Sequence, residues 1–218
     1  MQKKKMNSLF MAGALLAGSM IMGAQAQAGS HGGGMASAKA LSDTCAGCHG
    51  TDGVAVGPAM PTIAGQPAAH IAEVMKEYKA GERPSTIMGR ISKGYSDAEI
   101  DAIAKYLAKE TWGNNVANPR LAMKTGTPFT KVDDALAAKG EKYAKKLKCG
   151  KCHEDAGRST EDDMPRMAGQ WVDYLLIKMD DYKNPDMKVP QPKKMKKRMK
   201  KATLEQLQAI SHYYASQK

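Results

Sequence analysis

Apolar side chains recur three and four residues apart in two stretches of the first half of the chain. Between Pro67 and Lys79 the stripe is Ile71, Val74, Met75 and Tyr78; after Ser96 it is Ile100, Ile103, Ala104 and Leu107. That period lines one face of an α-helix. The second of these helices is opened by Ser96 with Glu99 three residues on, a spacing that lets each residue satisfy the other's backbone N–H. A further helix is expected over Ala36 to Thr44, and Gly53, Gly57, Pro58 and Pro61 turn the chain through a loop before Pro67. No run alternates with the period of two that a half-buried strand requires, so the chain reads as all-α.

The pattern is written twice. Adding 104 to Cys45, Cys48, His49, Pro61, Ala64, Gly65, Gln66, Met75 and Tyr78 gives Cys149, Cys152, His153, Pro165, Ala168, Gly169, Gln170, Met179 and Tyr182. Further on the offset becomes 107, pairing Met88 with Met195, Ser96 with Thr203, Ile100 with Leu207 and Tyr106 with Tyr213. Thr203 with Gln206 repeats the capping signal. An internal duplication into two helical domains follows, 36–112 and 132–218. They are joined by a linker at 113–131 that carries Asn114, Asn115, Pro119 and Pro128.

Ahead of the first domain, Lys3, Lys4 and Lys5 precede an apolar run from Leu9 to Gly23 and small residues ending at Ala28. This is the layout of a secretory signal peptide over 1–28, cleaved after Ala26 or Ala28, with a Gly-rich flexible start at 29–35. A membrane anchor is the alternative reading of the same run, but it is short and Gly-rich. No later segment is apolar enough to span a bilayer, so no membrane span is expected after cleavage, and the expected location is the periplasm. The formal net charge is +11, of which the three leader lysines carry +3. An exported, mildly basic protein is poorly placed for nucleic acid, and none is expected as a partner.

The four cysteines of the chain all lie in CAGCH (45 to 49) and CGKCH (149 to 153). C-x-x-C-H is the attachment signature of a c-type haem. Two thiols one helical turn apart add to the porphyrin vinyl groups as thioethers, and the adjacent imidazole lies under the iron. A zinc site needs its cysteine pairs closer together in sequence; a redox dithiol needs a strand-helix-strand context; plain disulfides leave both histidines unexplained. Two covalently bound haem c groups, each with its iron, are expected, on Cys45, Cys48 and His49 and on Cys149, Cys152 and His153.

A second axial ligand is then required, or an open site. Met60 with Met164, Met75 with Met179, and Met88 with Met195 recur in both halves. Met60 adjoins Pro61 on the histidine side, and Met75 belongs to a helical stripe and reads as core. Met88 and Met195 are read as loop residues ahead of the last helix and are the expected ligands, Met187 and Met199 competing with Met195. His70 and His212 do not pair across the repeat and read as surface or boundary residues. Pro61 and Pro165 follow their histidines by twelve residues. Their carbonyls either accept the second imidazole N–H or merely mark a turn. Lys193, Lys194, Lys196, Lys197, Arg198, Lys200 and Lys201 surround Met195. They read either as a solvated flank or as a patch steering an acidic redox partner.

These residues resemble a family. Two C-x-x-C-H domains, VGPAMPTIAG at 56 to 65, STIMGRISKGYS at 85 to 96, CGKCHEDAG, MAGQW at 167 to 171 and the ending HYYASQK are similar to the dihaem cytochromes c4. They are more similar still to the dihaem cytochrome subunit of flavocytochrome c sulfide dehydrogenase. The resemblance implies two tandem class I cytochrome c-like domains with His49/Met88 and His153/Met195 as axial pairs. It implies an FAD-containing sulfide dehydrogenase flavoprotein subunit as heterodimer partner, a soluble electron acceptor protein, and a role as electron-transfer subunit with no catalytic residue of its own. A free-standing carrier of the c4 type is the alternative. A dihaem peroxidase would require one open haem.

Overall fold

The computed structural model describes residues 35–112, 130–158 and 161–217. The expected signal peptide and nearly all of the expected linker lie outside them. Among the described residues there is no strand. In the first half α1 (Ala38–Asp43), α2 (Ala46–His49), α3 (Ala68–Ala80), α4 (Met88–Ser92) and α5 (Asp97–Leu107) follow one another. In the second half the order is α6 (Asp134–Lys146), a 3₁₀ turn at Cys149–Lys151, α7 (Glu154–Gly157), α8 (Val172–Lys183), α9 (Lys193–Lys201) and α10 (Leu204–Ser216).

The local signals act as read. Ser96 and Glu99 close a reciprocal capping box on α5, and Thr203 and Gln206 close one on α10. Ile100, Ile103, Ala104 and Leu107 are all buried, and they join Leu41, Ile71 and Met75 in the first core. Val74 and Tyr78 are only half-buried. The second core gathers Ala144, Val172, Leu175, Met199, Ala202, Leu207, Ile210, Tyr214 and Ala215. Here α10 lies against both α6 and α8, so it is buried over a wide arc. At the α6 crossing a Cβ built on Gly140 would fall 2.0 Å from the Ala209 carbonyl oxygen; only glycine lets the backbones approach so closely.

His212 stands on this crowded helix, 5% exposed, and its Nδ1 accepts the Asp133 N–H at 3.0 Å. It is therefore an interior residue and not the boundary residue expected. The reason is that α10 is covered on two faces rather than one.

The duplication is visible in the backbone hydrogen bonds. Ile63 and Ala64 donate to Gly53, and Gly65 donates to Leu107; in the second half Met167 and Ala168 donate to Gly157, and Gly169 to Tyr214. It is equally visible where the halves meet. The Gln66 side chain donates to the Arg166 carbonyl at 2.9 Å and accepts the Arg166 N–H at 2.8 Å. The Gln170 side chain donates to the Thr62 carbonyl at 3.0 Å and accepts the Thr62 N–H at 3.1 Å. Gln66 and Gln170 are repeat mates, and so are Thr62 and Arg166, so the contact is self-complementary, as across a two-fold axis. The Trp171 indole adds a bond to the Ala55 carbonyl at 3.3 Å.

Thr62 and Gln170 are each 2% exposed, so truncating the glutamines would strand buried backbone groups. The double variant Gln66→Ala/Gln170→Ala is expected to lose on the order of 4 kcal/mol, from four bonds at about 1 kcal/mol each. It is also expected to unfold in two steps rather than one. Urea titrations followed separately by far-UV and aromatic signals check this; a single unshifted transition would refute the bridge.

Candidate haem sites

The first motif begins just beyond α1, with Cys45 as the N-cap of α2, and fills α2. Helical hydrogen bonds from Cys48 and His49 back to Cys45 at 3.2 and 2.9 Å hold the two thiols and the imidazole on one turn. His49 is 8% exposed, and its Nδ1 lies 2.8 Å from the Pro61 carbonyl oxygen. A carbonyl has no proton to give, so Nδ1 is the donor and Nε2 carries the free lone pair. Burial pushes this imidazole below its ordinary pKa, the Pro61 bond opposing. The result is a neutral ring, fixed in tautomer and orientation, with its metal-binding nitrogen available.

Cys45 is half-buried against the first core and Cys48 is exposed. Met88 packs against the same core from the other side of the sequence. All four thiols are free. A thiol pair and an oriented neutral imidazole on one turn, with Cys45 and Met88 packed on one apolar cluster, make a donor set that fits a covalent haem.

The second motif brings the same residue types together, since Cys149 and Met195 both pack on the second core. Its local path differs. His153 leaves helical geometry at φ −93°, ψ 69°, and Asp155 and Ala156 follow at positive φ. Its Nδ1 is buried without a partner, so the Pro165 half of the proline expectation is not met. Gly50 supplies the reason. It has φ 76°, and a Cβ there would lie 2.0 Å from the Val54 carbonyl oxygen; its repeat mate is Glu154. A side chain excludes the glycine turn, and the chain takes another route past the histidine. Burial, helped by the charge of Arg198, pushes His153 down to about 4. The donor types still match those of the first site, a thiol pair, a buried imidazole and a methionine, with Cys149 and Met195 packed on one apolar cluster.

The methionines are sorted by their surroundings. Met60 is 39% exposed, and Met75 is buried with its sulfur 3.5 Å from the Ser92 hydroxyl. Met88 and Met195 are half-buried. They are not loop residues: Met88 begins α4 and Met195 lies in the first turn of α9. Met195, Met199 and Ala202 recur at helical spacing, a signal hidden among the lysines. Met199 belongs to the second core and Met187 does not.

His70 sits where the halves meet, its backbone N–H on the Asp162 carbonyl at 3.2 Å. Burial first, then the charges of Arg83 and His153, push it down to about 4. The folded pKa lies below the ordinary value, so the unfolded chain binds the extra proton. Stability is therefore full above about pH 6.5 and is lost as pH falls towards 4. Because the ring keeps some solvent contact, about 2 kcal/mol is the expected loss. Urea unfolding of His70→Gln should lack this acid loss, and parallel pH profiles for variant and parent would refute the assignment.

The cytochrome c family profile matches residues 35–110. The cytochrome subunit of sulfide dehydrogenase from Chlorobaculum tepidum is 47% identical over 66 residues, 30% of this chain and 59% of that protein; the chain thus spans less than two thirds of that relative. Cytochrome c-554(548) of Halomonas halodenitrificans is 36% identical over 70 residues, 31% of this chain and 84% of that protein. The reduced recombinant cytochrome c4 from Pseudomonas stutzeri superimposes with a TM-score of 0.66 at 22% identity, over 84% of this chain and all of that one. The fold is therefore that of two tandem class I cytochrome c-like domains. With a relative covered over most of its length and the haem-binding residue types assembled in both halves, this electron-transfer chain belongs to the cytochrome c family.

Proposed function

We propose that the chain is the dihaem electron-transfer subunit of a periplasmic flavocytochrome c sulfide dehydrogenase, exported by residues 1–28. It takes electrons from an FAD-containing flavoprotein subunit and passes them to a soluble acceptor. The observation that carries the reading is the 47% identity to a sulfide dehydrogenase cytochrome subunit.

Cys45 and Cys48 in domain 36–112, and Cys149 and Cys152 in domain 132–218, hold one haem c each. His49 with Met88 and His153 with Met195 would hold its iron. When bound, haem c supplies an iron that accepts and returns one electron at a time. The cysteines would hold it covalently, the Pro61 carbonyl orients the imidazole of the first site alone, and the two apolar clusters would keep water out. The Gln66 and Gln170 bridges fix the distance between the two sites. Among the described residues no helix is long and apolar enough to cross a membrane.

The deciding experiment is purification from the native periplasm. Flavin absorbance is expected to travel with the haem Soret band, and sulfide should reduce the haems only when the flavoprotein is present. A dihaem protein eluting alone and unresponsive to sulfide with any co-purified fraction would favour the second reading, a free-standing carrier, which the superposition on cytochrome c4 supports.

A further inference from the structure

The basic run on α9 is not uniform. Six lysines, Lys193, Lys194, Lys196, Lys197, Lys200 and Lys201, face solvent. Arg198 is turned inward and half-buried, with Nη1 3.9 Å from Cys152 Sγ. Among the described residues no carboxylate forms an ion pair with it. Its charge is thus directed at the second C-x-x-C-H motif and is not neutralised locally.

The first motif has no counterpart. At the offset of 107, Arg198 corresponds to Ile91, an uncharged residue. Arg90, the one basic residue within α4, is exposed. The duplication therefore placed one extra, permanent positive charge beside one of two otherwise similar sites. Arginine stays protonated at any working pH, so the charge is a fixed feature of the site.

We infer that Arg198 raises the reduction potential of the haem on Cys149 and Cys152 above that of the haem on Cys45 and Cys48, and so directs electrons from the first site to the second. A redox centre gains a negative charge on reduction, and a nearby cation in a medium less polar than water stabilises that reduced state. The inference rests on the reading that both motifs carry haem, and it adds the direction of flow: the first half receives and the second half delivers. The exposed lysines stand on the delivering side, where an acidic acceptor would dock.

The test is a potentiometric titration of the mature dihaem protein. It is followed by NMR of the haem methyl resonances, which reports the two sites separately. In Arg198→Gln the electron's preference for the second site is expected to fall about tenfold, a downward shift of about 59 mV in that midpoint, with the first midpoint unmoved. Arg198→Lys should keep most of the preference, and Ile91→Arg should raise the first midpoint. Two haems with both midpoints unchanged in Arg198→Gln, or moved equally, would overturn the inference alone. A mature protein lacking haem on the second motif would overturn it together with the proposed function.

Discussion

Replacing Cys149 and Cys152 together with alanine is expected to leave a mature protein with one porphyrin instead of two, and the reciprocal change at Cys45 and Cys48 is expected to do the same. The thioether bonds need those sulfurs and no others, because the chain holds four cysteines and all of them lie in the two motifs. The loss extends beyond the porphyrin. Among the described residues the first core has seven buried apolar residues and the second has nine, little for units of this size to fold around unaided. Cys45 and Cys149 each pack against their core, so an empty half should also unfold earlier and less cooperatively than the half that keeps its porphyrin, splitting the single transition of the parent. Intact-mass measurement and the pyridine haemochrome assay count the porphyrins. Two porphyrins retained in either double variant would end the haem assignment. So would a parent protein lighter than expected by two disulfides' worth of hydrogen.

The helices and the duplication were legible in the chain because they rest on short-range physics. A Ser-x-x-Glu box closes within four residues, and an apolar stripe of period 3.6 needs no knowledge of its partner. The repeated Ala-Gly-Gln was legible as a repeat but not as a bridge. Gln66 meets Arg166 a hundred residues away, and that contact exists only once the two halves have docked. His212 was misplaced for the same reason, since one helix in isolation does not reveal that it is covered on two faces. Other features were within reach. The change from Gly50 to Glu154 between repeats already says that the turn after the second histidine must differ, because only the glycine tolerates φ 76° against the Val54 carbonyl. Gly140 in mid-helix likewise signals a close crossing. The spacing of Met195, Met199 and Ala202 marks a helix that dense positive charge made look like a solvated loop.

That same spacing allows the methionines of the second half to be told apart by experiment. Met199 has Ser92 as its mate at offset 107, and Ser92 is fully buried against Met75. The position is a core position in both halves. Met187 lies in a turn closed by its N–H on Asn184, away from the core. Met195 alone repeats the situation of Met88: half-buried, beside its core, near the start of a short helix. Met195→Ala should therefore abolish the methionine-to-iron charge-transfer band of one haem. It should admit cyanide there and lower that midpoint by about 0.1 V or more, within the roughly 0.8 V range that axial ligands span. Met199→Leu conserves volume in a packed core and should cost less than about 1.5 kcal/mol, with the band and both midpoints intact. Met187→Leu should change neither. Loss of the band in Met199→Leu, with Met195→Ala unaffected, would transfer the ligand to Met199 and leave Met195 a residue of the charged surface.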